Sequence, residues 1–445
     1  MQNKGLTMSY EKGQKWINAI DLISPNRFDI MFKYMLASLM EKGIYDDWAI
    51  SPYEHHLKVW NNLIEQNPRK EGIREYVESF KDIIRSIKES GYDKNQSPVP
   101  VDHLTNSPLN GAHRVAASLL TGSKVFCDVL DFNQNPLVGC HCDYRYLLNR
   151  NDYVQGGLSI EYADLAAHQY TKLKDNVRII SVFPSAKGFD KELDELINSE
   201  SNVIYSKQIS LTPMGAFNFI RYIYDEDESR GNPWLGNFDN SWSGAQSKFR
   251  HCFPEGEPVK LYWFEEKSFD TSVKLKEKIR DIFKIGKHSV HINDTYTETL
   301  AMSGYLLNPN GLHFLNKANP RADCNFDYFF DKFKSWLIST GKDTEDFCVD
   351  SSAVLSAYGL RDCRDLDFLY HGDVIDTGMH DVSCHNEEMK YYQHSKKDII
   401  FNPQNHFYYK GIKFANLDVV KAMKQFRNEE KDVADVRLIN KVAIQ

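Results

Sequence analysis

Apolar residues recur every three or four positions over residues 27–91, in stretches such as RFDIMFKYMLASLMEKG and YVESFKDIIRSIKESG. This spacing places them on one side of a helix, so the segment is predicted to be helical, with Gly91 ending its last helix. After Pro98 the pattern changes, because VPVDHL predicts a strand, NGAHRVAASLLTG a turn and a helix, and VFCDVL a second strand. Residues 1–150 are therefore predicted to hold a helical lead-in and a small α+β domain.

Strands and helices are predicted to alternate in the next block, residues 151–320. The predicted strands are NVRIISVF, NVIYSKQIS, PVKLYWFEE, HSVHIND and GLHFLN, and the helices between them are KELDELINS, GAFNFIRYIY, KLKEKIRDIFK and TYTETLAMSGYLL. This alternation favours a central doubly wound, mainly parallel α/β domain with helices on both faces of the sheet. Ligands of such sheets bind beyond the carboxyl ends of the strands, which makes Lys207 a candidate phosphate contact.

The same edge of the predicted sheet carries His291 and Asp294, in HSVHINDTYTET. Thr295 and Glu298 fit a capping box, which accounts for Glu298 by helix capping alone. His291 and Asp294 are not explained by capping, and they are a candidate general base and its orienting carboxylate. The alternative is that neither has a catalytic or substrate-binding role.

The third block, residues 321–445, opens with the predicted helix FDYFFDKFKSWLIST and contains DFCVDSSAVLSAYGLRDCRDLDFLYHGD. In that segment a short strand ends at Asp350, a helix follows, and Asp365 and Asp367 begin another strand. Residues i and i+2 of a strand share a face, so these two carboxylates are predicted to point the same way. Like charges on one face are costly unless a cation joins them, and oxygen ligands favour Mg²⁺. The alternatives are an inactive fold and a solvated strand with coincidental acids.

A turn, a helix and then an Asp-x-Asp strand is an order that resembles the polymerase-beta-like nucleotidyltransferase fold. The resemblance implies that Asp365 and Asp367 hold Mg²⁺ and that Ser351 and Ser352 lie beside a nucleoside triphosphate, ATP or CTP. It also implies a third acid from a later strand, for which Asp398 in KKDIIFNP is the candidate. The predicted hairpin and charged helix that end the chain are similar to the closing part of several bacterial nucleotidyltransferase-like families.

A second motif, NGAHR, lies at a tight turn that leads straight into a helix near residue 112. Backbone N–H groups at a helix start, together with the imidazole of His113 and the guanidinium of Arg114, can form a phosphate cradle, and Gly111 allows close backbone approach. In the alternative interpretation Asn110 and Gly111 only make the turn, and His113 and Arg114 satisfy buried carbonyl groups.

With this turn between a strand and a helix, residues 78–132 resemble the ParB/sulfiredoxin-like fold, whose members carry an Asp-Gly-x-His-Arg type of turn. The resemblance implies that Asn110, Gly111, His113 and Arg114 bind a nucleotide phosphate, and some members are kinases of small metabolites. Ala112 stands where sulfiredoxins have their reactive cysteine. Sulfinic-acid reduction is therefore excluded.

Aromatic and basic residues are concentrated in NPWLGNFDNSWSGAQSKFRHCF, which includes Trp234, Trp242, Lys248 and Arg250. Aromatic rings beside cations can hold sugars or nucleotides. The favoured interpretation is a long loop that packs its tryptophans onto the domain, since large aromatic residues are more often buried than displayed.

Charge and composition narrow the function classes. Asp and Glu total 62 against 54 for Lys and Arg, a net charge of 54 − 62 = −8, so no general field attracts nucleic acid, and no nucleic-acid partner is expected. There is no signal-like stretch, no run of about 18 apolar residues and no regular spacing of the cysteines, so a cytoplasmic protein without a membrane span is expected. The oligomeric state stays open.

These observations predict a Mg²⁺-dependent transferase that moves a phosphoryl or nucleotidyl group to a small acceptor of the sugar or sugar-phosphate type. Asp398 would help to orient or deprotonate the acceptor hydroxyl. The combination of motifs resembles proteins of bacterial surface-polysaccharide gene clusters. Two alternatives remain: a ParB-like metabolite kinase with an inactive C-terminal domain, and a non-enzymatic nucleotide-sensing module.

Overall fold

The structure is a computed structural model that describes residues 13–95, 97–131, 142–225, 232–254, 257–319, 321 and 324–444. The chain forms two compact units, residues 1–175 with 202–205 and residues 176–201 with 206–445. Helices and strands are mixed in both, which confirms the α/β class. The division into three domains with boundaries near residues 150 and 320 stays a prediction. In the described part of the chain, no helix has the length and apolar character needed to cross a membrane.

The first unit combines helices with a small sheet. Its elements are β1 (Gly13–Asn18), α1 (Asp29–Glu41), α2 (Asp47–Asn61), β2 (Ile64–Gln66), β3 (Arg69–Glu71), α3 (Gly72–Ser90), β4 (Val99–Asp102), α4 (Ala112–Thr121), β5 (Lys124–Leu130), α5 (Tyr144–Asn149) and α6 (Ile160–Leu173). The sheet order is β1-β5-β4, in which β1 is antiparallel and β4 parallel to β5. Strand, turn, helix and strand follow one another from β4 to β5, as the sequence predicts.

The second unit contains two sheets. Its elements are β6 (Val177–Val182), α7 (Asp190–Glu200), β7 (Asn202–Ile209, counted in part with the first unit), α8 (Pro213–Asp225), α9 (Ser243–Cys252), β8 (Val259–Glu265), α10 (Phe269–Phe283), β9 (Val290–Ile292), α11 (Tyr296–Leu306), α12 (Pro309–Lys317), α13 (Cys324–Thr340), β10 (Phe347–Asp350), α14 (Ser351–Ala357), β11 (Leu366–Tyr370), β12 (Val382–Cys384), α15 (Lys396–Phe401), β13 (His406–Tyr409), β14 (Ile412–Ala415), α16 (Leu417–Arg427) and α17 (Glu430–Ile444).

The four-stranded sheet of the middle block, with the order β7-β8-β6-β9, is not mainly parallel. Strand β6 is antiparallel to both β8 and β9, so the prediction of a mainly parallel, doubly wound sheet is wrong for these strands. Buried strands read as continuous apolar runs whichever way they point, and the long connections that carry helices allow a strand to return in either direction.

One predicted strand of the middle block, GLHFLN, lies in a helix. The side chain of Asn308 accepts hydrogen bonds from the N–H groups of Asn310 and Gly311, and Pro309 takes the first helical position of α12. Asparagine followed by proline is a strong signal for a helix start. The Asn308–Pro309 signal for a helix therefore outweighs the short apolar run that predicted a strand.

The five-stranded sheet carries the C-terminal signature, and its order is β12-β11-β10-β14-β13. Strands β10 and β11 are antiparallel, whereas β11 is parallel to β12. Both β10 and β11 are made almost wholly of buried apolar residues, which explains why they occupy the middle of the sheet. Two buried aspartates, Asp350 and Asp367, interrupt this apolar pattern.

Helices α16 and α17 are joined by a buried network of charges. Lys424 Nζ lies 3.3 Å from Asp432 Oδ1 and 2.8 Å from Asp435 Oδ2. Arg427 donates to both carboxylate oxygens of Asp432, and Arg361 donates to both of Asp435, at 2.5 and 2.8 Å. Burial raises the pKa of Asp432, but the Arg427 hydrogen bonds and the Lys424 charge lower it to about 2.

Asp432→Asn is expected to destabilise the protein by about 3–5 kcal/mol, because it leaves buried cations without their carboxylate. Urea unfolding at neutral pH measures this difference. The matched control is Lys431→Gln, which breaks the neighbouring exposed pair with Glu429 at 3.1 Å. That substitution should change the free energy of unfolding by less than about 1 kcal/mol. Equal effects of the two variants would contradict a stabilising role for the network.

Candidate metal centre

Asp350 and Asp367 face each other across two neighbouring strands. Asp350 is the last residue of β10, and the antiparallel register pairs it directly with Asp367 in β11. Both residues are buried, Asp350 completely. One ligand atom from each of them lies within 4.8 Å of the other and of a ring nitrogen of His385, and no second such group of three occurs within the described ranges.

His385 follows β12 and lies between the two carboxylates. Its Nε2 atom is 3.0 Å from Asp367 Oδ1, and its Nδ1 atom is 3.6 Å from Asp350 Oδ1. The N–H of His385 donates to the main-chain oxygen of Phe368 at 2.8 Å, which extends the β11–β12 pairing by one residue and holds the ring in place.

The remaining carboxylate oxygens have different environments. The Tyr392 hydroxyl donates to Asp350 Oδ2, and the Ser383 hydroxyl donates to Asp367 Oδ1 at 3.1 Å. Asp350 Oδ1 is buried and has no hydrogen-bond partner. A buried carboxylate oxygen without a hydrogen bond is energetically unfavourable, and His385 Nδ1, the charged group facing it, lies 3.6 Å away. A bound cation would ligate this oxygen directly.

The electrostatics of the centre follow from its two acids. Burial lowers the pKa of His385, but the charges and hydrogen bonds of Asp350 and Asp367 outweigh burial and raise it to about 11. Burial and the neighbouring Asp350 carboxylate raise the pKa of Tyr392 well above its usual value. Without a metal, the imidazole is therefore protonated at neutral pH and partly neutralises the two carboxylates.

Three predicted site residues lie next to this centre. The Ser352 hydroxyl donates to Asp365 Oδ1 at 3.3 Å, and burial together with the Asp367 charge raises the pKa of Asp365. Asp365 lies just before β11 and is not part of the three-residue group. Ser351 is buried and has a φ of 56°, in the left-handed region that favours glycine. Of the two residues predicted to hold Mg²⁺, only Asp367 belongs to the group formed with Asp350 and His385.

Asp398 is not part of the three-residue group, and its predicted place on a late strand is wrong. It is in the first turn of α15, where Ser395 caps its N–H. Its carboxylate lies 2.7 Å from His394 Nδ1 and accepts from Asn402 at 2.9 Å. Serine before a charged segment favours a helix start, and an acid in the first turn is stabilised by the helix dipole.

The NGAHR turn has the predicted position, between β4 and α4. Gly111 has a φ of 79°, and an added Cβ would lie 2.9 Å from Val99 Cγ2, so this position requires glycine. The side-chain oxygen of Asn110 accepts from the Gly111 N–H at 2.6 Å. This turn therefore uses one of its N–H groups internally.

The two basic residues of the turn bind other parts of the first unit. His113 Nε2 lies 2.7 Å from the Tyr53 hydroxyl, and burial and the Lys33 charge lower its pKa well below the usual value. Arg114 donates to the Tyr92 hydroxyl at 2.9 Å and to the main-chain oxygen of Ser97. Arg114 thus binds a carbonyl group, as the alternative predicts, whereas His113 contacts a hydroxyl group instead. Phosphate binding at this turn stays a prediction.

The candidates of the middle block do not form a catalytic pair in the structure. His291 packs edge-on against Tyr224, with ring centroids 4.5 Å apart, and burial lowers its pKa well below the usual value. Asp294 lies 3.3 Å from Lys276 Nζ, and its N–H donates to Glu298 in the capping box. Lys207 Nζ donates to the main-chain oxygen of Leu306 at 3.0 Å.

Sequence reasoning missed Asp350 and His385 as members of the centre. Asp350 ends an apolar strand, and an acid in that position was a detectable signal, although its pairing with Asp367 was not. His385 follows a strand of only three residues, whose pairing with β11 has no local sequence signal. In comparisons with known proteins, no family model, no curated protein and no solved structure matches the chain.

His385→Gln is expected to reduce stability most at low pH. The folded pKa of His385 is about 11, raised from an ordinary value of 6.5. Its contribution is therefore complete below about pH 6.5 and is lost as the pH rises toward 11. Thermal unfolding of both proteins in a chelator, from pH 6 to 9.5, measures the difference. A difference that stays constant or grows with pH would contradict an imidazolium between the two acids.

Proposed function

We propose that the chain is a divalent-cation-dependent transferase that moves a phosphoryl or nucleotidyl group to a small acceptor, with its reactive centre at Asp350, Asp367 and His385. The observation that carries the proposal is the pair of buried carboxylates facing each other across β10 and β11, with one oxygen unpartnered. A cation placed between two such acids can neutralise charge on phosphate oxygens.

The donor set fits a divalent cation. Two carboxylates supply the hard oxygen ligands that Mg²⁺ and Mn²⁺ prefer, and the imidazole extends the range toward Mn²⁺ and Zn²⁺. His385 must lose its proton before it can serve as a ligand, so cation binding would release a proton. The bound cation would polarise the transferred phosphate group.

The resemblance to nucleotidyltransferases is supported by backbone conformation at residue 351. Members of that fold carry glycine at the first position of the turn, and Ser351 has the left-handed φ of 56° that glycine adopts without strain. The order of β10, α14 and β11 is also the order that the resemblance implies. A nucleoside triphosphate is therefore the donor we propose.

Asp365 is the residue we propose as proton acceptor. Burial and the Asp367 charge raise its pKa, which brings it closer to the pH at which a carboxylate can take a proton from an acceptor hydroxyl. The Ser352 hydrogen bond orients one of its oxygens. Asp398, engaged by His394 and Asn402, has no part in this scheme. A sugar or sugar phosphate remains the acceptor class we propose, in line with the sequence prediction.

Asp367→Asn is expected to abolish turnover and to weaken cation binding at least about tenfold, because it removes a ligand charge from the centre. Isothermal titration with Mg²⁺, Mn²⁺ and Zn²⁺ measures the binding. Transfer from ATP and CTP to a panel of sugars and sugar phosphates measures the activity.

Asp398→Asn is the matched control for this test, since it makes the same chemical change outside the centre. It should leave cation affinity and turnover within about twofold of the unaltered protein, whereas Asp350→Asn should behave like Asp367→Asn. Undiminished cation binding by both Asp350→Asn and Asp367→Asn would refute the centre.

A further inference from the structure

Arg221, in α8, is a buried guanidinium surrounded by aromatic rings. Only 7% of the residue is exposed. Its Cζ atom lies 4.1 Å from the ring centroid of Trp242, 5.7 Å from that of Phe238, and 5.8 Å from those of Phe217 and Tyr222. These rings attract the positive charge of Arg221. They do not accept hydrogen bonds from its N–H groups, because a guanidinium donates in its own plane.

The structure gives this guanidinium no hydrogen bond and no ion pair with any described residue. Its Nε atom is buried without a partner. A buried charge that has neither a carboxylate nor a carbonyl acceptor is rare, because removing it from water costs several kcal/mol. Among the described residues, the buried Nε–H group of Arg221 therefore has no acceptor.

A second unpaired donor lies beside Arg221. The indole Nε1 of Trp242 is buried and also lacks a partner. Trp242 is the N-cap residue of α9, a helix of ten residues, and its side chain makes no capping hydrogen bond. The Ser243 N–H of the first turn donates to Asn240 at 3.3 Å. The site thus combines a cation with unpaired donors.

We infer that Arg221 and Trp242 form a binding site for the phosphate group of a small molecule. All of the unpaired groups are donors, so the occupant must supply acceptors, and the buried positive charge favours an anion. Phosphate is the expected group because its several oxygens can accept from Arg221 and Trp242 at once, and its charge complements that of the guanidinium.

This site does not depend on the proposed metal centre. The prediction that the aromatic and basic stretch is one long loop is wrong, because Ser243–Cys252 form α9. Trp242 packs against Arg221, whereas Trp234 is 47% exposed. The phosphate can belong to a nucleotide or to a sugar phosphate, since both present the same oxygens.

The test is phosphate binding by the full chain in a chelator at constant ionic strength, measured by isothermal titration and by the shift in melting temperature. Inorganic phosphate is the first probe, and acetate is the planar comparison. Arg221→Gln is expected to weaken phosphate binding at least about tenfold, the loss that corresponds to one or two charge-assisted hydrogen bonds. Trp242→Phe keeps a ring but removes the N–H, so a smaller loss of about threefold or more is expected.

Arg250→Gln is the matched control, because Arg250 lies on α9 with the same charge, is exposed and donates a hydrogen bond to Gln246 at 3.4 Å. It should bind phosphate like the unaltered protein, and so should Asp367→Asn, which separates this site from the metal centre. If Arg221→Gln does not fold, phosphate binding is compared between the unaltered protein and the milder variants Arg221→Lys and Trp242→Phe. Tighter binding of AMP or of glucose 1-phosphate than of inorganic phosphate supports the site and identifies the source of the phosphate.

Three results would overturn the inference. The first is phosphate affinity that is unchanged in both Arg221→Lys and Trp242→Phe. The second is an unaltered protein that does not respond to phosphate, which would make Arg221 an aromatic-stacking residue only. The third is acetate binding as tight as phosphate binding, which would assign the site to carboxylates.

Discussion

The repulsion between two buried carboxylates is the constraint on which the C-terminal sheet depends. Antiparallel pairing of β10 with β11 puts Asp350 opposite Asp367 at a distance where like charges disfavour one another. His385 offsets that repulsion from one side, and the Tyr392 and Ser383 hydroxyls satisfy further oxygens. An apolar pair would stabilise the same strands at lower cost, so the two acids do not add to the stability of the sheet.

Much of the secondary structure could be predicted from local patterns. The helices of the N-terminal block, the β4–α4–β5 series and the C-terminal hairpin all carry strong periodicity or turn signals, and the structure contains them. Strand direction in the middle sheet could not be predicted, since β6 has the same apolar sequence whether its neighbours run with it or against it. Direction depends on contacts far apart in the chain.

The candidate site was predictable only in part, for the same reason. Asp365 and Asp367 are two residues apart, so strand alternation predicted their neighbourhood from local sequence. Asp350 and His385 reach the centre through pairing of residues that lie 16 (383 − 367) or 17 (367 − 350) positions apart in the chain, and no periodicity encodes that register. Arg221 gave no sequence signal, since its lack of a partner is visible only when the surrounding side chains are placed.

The charge network of the last two helices ties the end of the chain to the candidate centre. Arg361 lies in the segment between α14 and Asp365, and its two hydrogen bonds to Asp435 hold that segment against α17. Helix α17 thus stabilises the segment between α14 and β11, which contains Asp365. Removal of the fifteen residues of α17 would leave Arg361, Lys424 and Arg427 without the carboxylates of Asp432 and Asp435. The conformation of the segment before Asp365 thus depends on a helix that contributes no residue to the three-residue group.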